Sequence, residues 1–329
     1  MQKKITIIGG AGFVGTNLAK RLILLQQDFE IIDLKLSKQF PRESKIGDVR
    51  DYDSLRSTIT GNVVVHLAAV HRDDVRDKND YELTNVHGTE NVVRVCRELE
   101  IQKIVFTSSV AVYGFAEPGT NESGPIKPYN EYGRTKFEAE ERLRAWFAAG
   151  NNSLIIVRPT VIFGEGNRGN VFNLLKQISS GKFLMVGKGK NKKSMAYVEN
   201  VVSFIEACIL TNTKYGLYNY VDTPDLTMNE LVSHVRSKLL GKSGVGPQIP
   251  FWVGMIIGYA ANVLAFICNR QLPISSIRVK KFTSSTEFRS AKNSLDNFRA
   301  PFDLSEGLQR TLESEFISPD PNREVFFTE

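Results

Sequence analysis

Residues 4 to 15 read KITIIGGAGFVG: a short apolar run rich in β-branched residues passes through a glycine trio, Gly9, Gly12 and Gly15, into a helix-like stretch at 14 to 27. A tight turn, a close backbone approach to a pyrophosphate and close helix packing each favour a residue without Cβ, and a helix N-terminus adds free N–H groups and positive potential. A glycine trio alone also suits an ordinary βα turn. Asp33 narrows the choice. It ends the next apolar run, 29 to 33 (FEIID), eighteen residues beyond Gly15, where a carboxylate accepts both ribose hydroxyls of NAD and repels the 2′-phosphate of NADP.

The same rhythm continues outward. Apolar runs at 62 to 67 (NVVVHL), 103 to 107 (KIVFT) and 154 to 158 (LIIVR) are separated by helix-like stretches at 81 to 99 and 130 to 149. Parallel strands need crossovers, and helices in the crossovers cover both faces of the sheet. The expected class is α/β: a doubly wound parallel-sheet Rossmann domain over residues 1 to 165, with a return at about 195 to 222. Residues 166 to 329 are expected to form mainly a smaller C-terminal α/β substrate cap.

Composition sets bounds. The 329 residues are 42% hydrophobic, enough for a sizeable core, and Lys plus Arg exceed Asp plus Glu by 42 to 36. That basic excess is spread along the chain, which argues against nucleic acid as a partner. Cys96, Cys208 and Cys268 have no CxxC spacing and sit in apolar runs, as buried thiols of a reducing compartment do. The first apolar run is too short for a signal peptide, so a cytoplasmic location is expected. His66, His71, His87 and His234 show no metal-ligand spacing, and no metal is expected. The segment Phe251 to Cys268 is eighteen residues without a charge. It suits a buried or dimer-interface helix, an interfacial membrane attachment, or a short span.

Tyr132 and Lys136, in EYGRTK, lie four apart on a predicted helix and so share one face. An ammonium beside a phenol stabilises phenolate and lowers its pKa, so Tyr132 could exchange a proton with a substrate hydroxyl. Ser109, in FTSSVAVYG, follows the strand at 103 to 107 and stands at its carboxyl end, the edge where doubly wound sheets place their sites. His71, Arg72, Asp73 and Asp74 follow the run at 62 to 67 as a charged cluster, either a solvated loop or a substrate contact.

GGAGFVG, Asp33, GDVRD, HLAAV, NVHGTENV, FTSSVAVYG, YGRTK, RPTVIFGEGN and AYVENVV occur in one order over nearly the whole chain. In that order they resemble the extended short-chain dehydrogenase/reductases, specifically the NAD-dependent epimerase/dehydratase family of nucleotide-sugar enzymes. The resemblance implies that Gly9, Gly12, Phe13, Val14, Gly15 and Asp33 hold NAD, that Asp48 and Val49 contact adenine, and that Ala68, Ala69 and Val70 border the cofactor ribose. Pro159 lines the nicotinamide pocket. Ser109 hydrogen-bonds the reacting oxygen, Tyr132 is the acid/base, Lys136 binds the nicotinamide ribose and tunes Tyr132, and Asn85 completes the polar catalytic set. Val110 and Lys193 join Ser109 and Tyr132 on the substrate.

The departures are informative. Family dehydratases place an Asp-Glu pair where this chain has Val110 and Ala111, which cannot move protons, so dehydration is disfavoured. Val161 stands where galactose-type epimerases carry a diphosphate-gripping asparagine, and Lys193 where they carry arginine, which keeps charge and loses the bidentate fork. The function expected from the resemblance is 4-epimerisation of a nucleotide sugar, UDP-linked, through a transient 4-keto sugar. Members of the family dimerise through two long helices, here 81 to 99 and 130 to 149, so a homodimer is expected. The alternatives are a dehydrogenase or reductase of a 4-keto-deoxy nucleotide sugar or of a 3β-hydroxysteroid, whose branch often attaches to membranes, and a non-catalytic NAD-binding protein.

Overall fold

The computed structural model describes residues 4–72, 75, 77–268, 275–290, 295 and 298–328. Asp73 and Asp74 of the charged cluster lie outside them.

The first half alternates strand and helix: β1 (Ile5–Ile8), α1 (Phe13–Leu24), β2 (Phe29–Asp33), β3 (Ser44–Ile46), α2 (Tyr52–Thr58) and β4 (Val63–His66). A helical turn α3 (Asn79–Tyr81) passes through a π-helical turn at Glu82–His87 into α4 (Gly88–Glu98). Then come β5 (Lys103–Thr107), a 3₁₀ turn at Val110–Tyr113, α5 (Glu131–Ala148) and β6 (Ser153–Pro159). The second half carries β7 (Val161–Phe163), α6 (Asn170–Ser179), β8 (Met185–Val186), β9 (Lys192–Lys193), β10 (Met195–Tyr197), α7 (Val198–Leu210) and β11 (Tyr215–Tyr220). It ends with β12 (Leu226–Thr227), α8 (Met228–Leu240), β13 (Gln248–Ile249), α9 (Phe251–Ile267), α10 (Ser276–Thr283) and α11 (Leu304–Leu312).

Seven parallel strands form the sheet, in the order β11-β6-β5-β4-β1-β2-β3. The central strands are mostly apolar because successive residues feed opposite cores. Ile5, Ile7, Val63, Val65 and Val105 pack with Leu18 and Leu22 of α1 and Val201 and Ile205 of α7. Ile8, Val64, Ile104 and Phe106 pack with Val92, Val95 and Cys96 of α4 and Ala139, Leu143 and Trp146 of α5. All strands run the same way, so their carboxyl ends share one edge, and the site lies there.

Two expectations need correction. Cys96 and Cys208 are buried, but Cys268 is exposed. It ends α9, the apolar helix, which faces outward: only Gly254 and Gly258 of that helix are buried, packed on Val186 and on Ser276 at the start of α10. Burial of this helix within the single chain is therefore excluded. Among the described residues, no helix is long and apolar enough to cross a membrane.

Candidate active site

A cleft of about 760 Å³ runs along the carboxyl edge of the sheet. Its floor is the turn between β1 and α1. Gly9 has φ +80°, and a Cβ there would sit 2.5 Å from the Ala68 backbone nitrogen, so the turn can lie against the neighbouring loop only as glycine. Gly12 is the N-cap of α1 and offers no side-chain acceptor, which leaves the first-turn N–H groups to the cleft. Phe13, Val14 and Gly15 follow on its wall, and Gly15 packs against Gly10, where a Cβ would meet Cα at 2.4 Å.

Asp33 ends β2 at one end of the cleft and accepts a hydrogen bond from the Ala11 N–H at 3.0 Å, tying the acid to the glycine turn. Burial pushes its carboxyl up, while N–H groups of Ala11, Leu34 and Lys35 and the Lys35 charge oppose the rise. Asp48 and Val49 also line this end. Both Asp48 oxygens are held by the Arg50 guanidinium, at 2.7 and 3.0 Å, which keeps that carboxyl below its usual range. The backbone of Val49 is fixed by Asn91 Nδ2 at 2.9 Å.

Ser109, Val110, Tyr132, Lys136 and Pro159 gather at the opposite end, with Ala68, Ala69 and Val70 between. Ser109 caps the 3₁₀ turn, its Oγ accepting from the Ala111 N–H at 3.1 Å, and it is hydrogen-bonded to the Tyr132 phenol. Lys136 is 2% exposed, and its ammonium lies 4.2 Å from the Phe106 ring centroid. Burial lowers the Lys136 pKa to about 7, against the attraction of Glu140 one turn on. The expected acidification of the phenol is not what dominates: burial pushes Tyr132 up to about 12, and the Ser109 hydrogen bond only partly offsets it. The phenol is neutral in this state because desolvation of the anion outweighs nearby polarity.

Two predicted residues lie off the cleft. Asn85 spends its amide as a clamp: Oδ1 accepts from the Val70 N–H at 2.8 Å, and Nδ2 donates to Val70 O at 3.0 Å and to Thr135 Oγ1 at 2.9 Å. It fixes the loop after β4 against α5. Lys193 turns its ammonium to the carbonyls of Lys281 and Ser284, at 2.8 and 2.7 Å, and so caps the C-terminal end of α10. It holds Lys281, which does line the cleft.

Sequence reasoning missed Tyr129, Lys281 and Thr328 on the cleft wall. The first sits just ahead of Tyr132; the others arrive from far along the chain and carry no local signal. His71, from the charged cluster, also lines the cleft, with its ring 6.5 Å from that of Tyr132. Among the described residues, no cluster of His, Cys, Asp or Glu suits a metal. The cleft fits a dinucleotide: a carboxylate at the ribose end, a cradle that a Cβ would fill, an uncapped helix N-terminus for the diphosphate, and a Ser-Tyr-Lys cluster at the nicotinamide end.

Comparisons agree with this geometry. An N-acetyl-alpha-D-glucosaminyl-diphospho-ditrans,octacis-undecaprenol 4-epimerase of Escherichia coli O157:H7 is 45% identical over 100% of both chains. A UDP-glucose 4-epimerase of Vibrio cholerae is 32% identical over 78% of this chain and 82% of its own. The solved UDP-Glc/GlcNAc 4-epimerase of Campylobacter jejuni shares the fold, with a TM-score of 0.71 at 19% identity over 94% of this chain and 97% of that one. The NAD-dependent epimerase/dehydratase family model matches residues 5–219, and with the cleft built as it is, the chain belongs to that family.

Proposed function

We propose that this enzyme inverts C4 of an N-acetylhexosamine carried on a polyprenyl diphosphate, rather than on UDP. The full-length likeness to the E. coli enzyme supports the reaction, and the observation that carries the choice of substrate is the outward apolar face of α9. Phe266 is 88% exposed and Trp252 65%, with Ile256, Val263 and Ile267 on the same open surface. An apolar surface of this kind on a non-spanning helix suits burial in one leaflet of a bilayer, with cations beside it for anionic headgroups. α10 supplies them in Arg278, Lys280 and Lys281.

α10 also joins the membrane side to the cleft. Asn262 of α9 donates to Ser276 Oγ at 2.7 Å, and at the other end of α10 the Lys281 ammonium stands 5.0 Å from the Tyr129 ring centroid, both residues lining the cleft. Phe115 packs on Tyr129, centroid to centroid 4.7 Å, and is exposed, so an apolar rim leads away from the mouth. A diphosphate leaving the cleft passes Lys281, and the prenyl chain follows the aromatic rim toward α9. The proposed homodimer would join two copies through α4 and α5, which lie side by side within one chain.

Bound NAD supplies a hydride acceptor for C4 and a donor for the return. Ser109 and Tyr132 hold the C4 hydroxyl, and Tyr132 Oη receives its proton and gives it back. Burial keeps the Tyr132 phenol protonated in the empty cleft, so it must first release its own proton to solvent. The resulting phenolate, which forms only beside positive charge, then takes the C4 hydroxyl proton. Lys136, one turn on along α5, is the cation proposed to supply that charge. Val110 and Ala111 offer no second proton donor, so water is not expelled and the sugar leaves with only one stereocentre changed.

The test offers the purified protein, with no added NAD, an N-acetylglucosaminyl diphospho-polyprenol and UDP-N-acetylglucosamine side by side. Conversion of the lipid-linked sugar at a kcat/KM at least ~100-fold above that for the UDP-sugar is expected; preference for the UDP-sugar would overturn the carrier, and turnover that begins only when stoichiometric NAD is added would overturn epimerisation.

A further inference from the structure

Residues 324 to 328 run up to the dinucleotide cleft, which Thr328 lines, and pack against residues of its walls. Glu324, Phe326 and Thr328 are partly buried, whereas Val325 and Phe327 face out, the alternation of an extended segment with one face packed. The Phe326 N–H donates to Gly166 O, and its carbonyl accepts from the Arg168 N–H, both at 2.8 Å. Its ring packs on Phe13, the first residue of α1, with centroids 5.8 Å apart. Thr328 Oγ1 donates to Asn167 Oδ1 at 2.7 Å, and the Thr328 backbone is hydrogen-bonded to the His71 imidazole. Glu324 accepts from Gln39 Nε2, in the loop after β2, at 3.0 Å.

The opposing wall is shaped to receive this segment. Gly166 has φ +87°, and a Cβ there would lie 2.7 Å from the Glu324 carbonyl. Glu315 braces the same loop from behind, accepting from the Gly166 N–H at 2.6 Å and pairing with Arg168 at 2.5 Å. The segment therefore touches the Asp33 side through Gln39, the helix N-terminus through Phe13, and the neighbourhood of Tyr132 through His71.

We propose that residues 324 to 328 are a retaining strap over the diphosphate bridge of bound NAD, and that the strap sets how long the cofactor stays. Epimerisation needs such a device. Hydride leaves the sugar and returns to it within one binding event, so a cofactor lost in between strands a keto sugar, whereas a net dehydrogenase must exchange its cofactor every cycle. The strap depends on the cofactor site and not on what carries the sugar. Release then requires the Phe326 and Thr328 contacts to break first, as with other closing segments that limit release.

The experiment compares the full chain, Phe326→Ala and a chain ending at Asn322 for two quantities: NAD that copurifies, measured after denaturation, and the dissociation rate of NADH, followed by its fluorescence on dilution into excess NAD. The shortened chain should lose its copurifying NAD and release NADH at least ~10-fold faster, with Phe326→Ala between the two. Equal dissociation rates in all three would overturn the strap. So would a shortened chain that keeps NAD and loses turnover, since the segment would then serve the sugar. If the shortened chain does not fold, Phe326→Ala decides alone, provided its melting temperature stays near that of the full chain.

Discussion

The Lys136 ammonium is held in a place where burial opposes its charge, with a pKa lowered to about 7 from 10.5. Between those two values the unfolded chain binds more protons than the folded one, so this group makes stability rise with pH through the window from 7 to 10.5 and imposes its full penalty below 7. Lys136→Met removes the penalty and keeps an apolar stem against Phe106. The variant should melt several degrees higher than the wild type at pH 6, with the gap closing toward pH 10, while turnover falls by roughly 100-fold or more. A lower melting temperature at pH 6 would mean that the ammonium stabilises the fold after all. Tyr132→Phe is the companion: turnover lost, NAD binding kept. Which side chains meet in the cleft was legible where strand ends fix them, as for Asp33, Ser109 and, on the first two turns of α5, Tyr132 and Lys136. It was not legible for Asn85 and Lys193. Their motif positions are those the resemblance implies, but their partners, Val70 and Thr135 for one and Lys281 and Ser284 for the other, lie 15 to 91 residues away, and only the fold reveals that their polar groups are already used.

At the scale of elements, the strands were the easiest to read, because a run buried on both faces is apolar at most positions. α9 was the hardest for the same reason. Composition states how apolar a helix is and says nothing of which neighbour covers it. The structure covers only the glycine stripe of Gly254 and Gly258, whose small size lets α10 approach, and leaves the large side chains open. Replacing Trp252 and Phe266 together by Asp should abolish cosedimentation with vesicles of mixed neutral and anionic lipid and leave the melting temperature nearly unchanged, since neither side chain is packed. Retained vesicle binding would detach α9 from the membrane. Raised salt should weaken binding only in part, because the apolar contribution is not screened.

Across the whole molecule, the sheet and the cap are tied by one buried polar network. Arg158 on β6, 1% exposed, donates to both oxygens of Glu140 on α5 at 2.8 and 2.5 Å and to the Tyr113 hydroxyl at 2.7 Å. Tyr113 donates to Asn219 on β11 at 2.8 Å, and Asn219 Nδ2 reaches the Arg289 carbonyl at 3.0 Å. Arg144 adds a second cation to Glu140 at 2.9 Å, and Lys136 feels the same carboxylate. Glu140 therefore serves the fold and the site at once. Glu140→Gln keeps the shape and one acceptor but leaves two buried or half-buried guanidinium groups undercompensated, a loss of about 3–5 kcal/mol for a broken buried pair, read by urea unfolding. In the same variant Lys136 loses the attraction that raises its pKa, so its ammonium deprotonates at lower pH. The alkaline limb of the turnover profile should move to lower pH, whereas a purely structural role for Glu140 would lower stability and leave that limb in place.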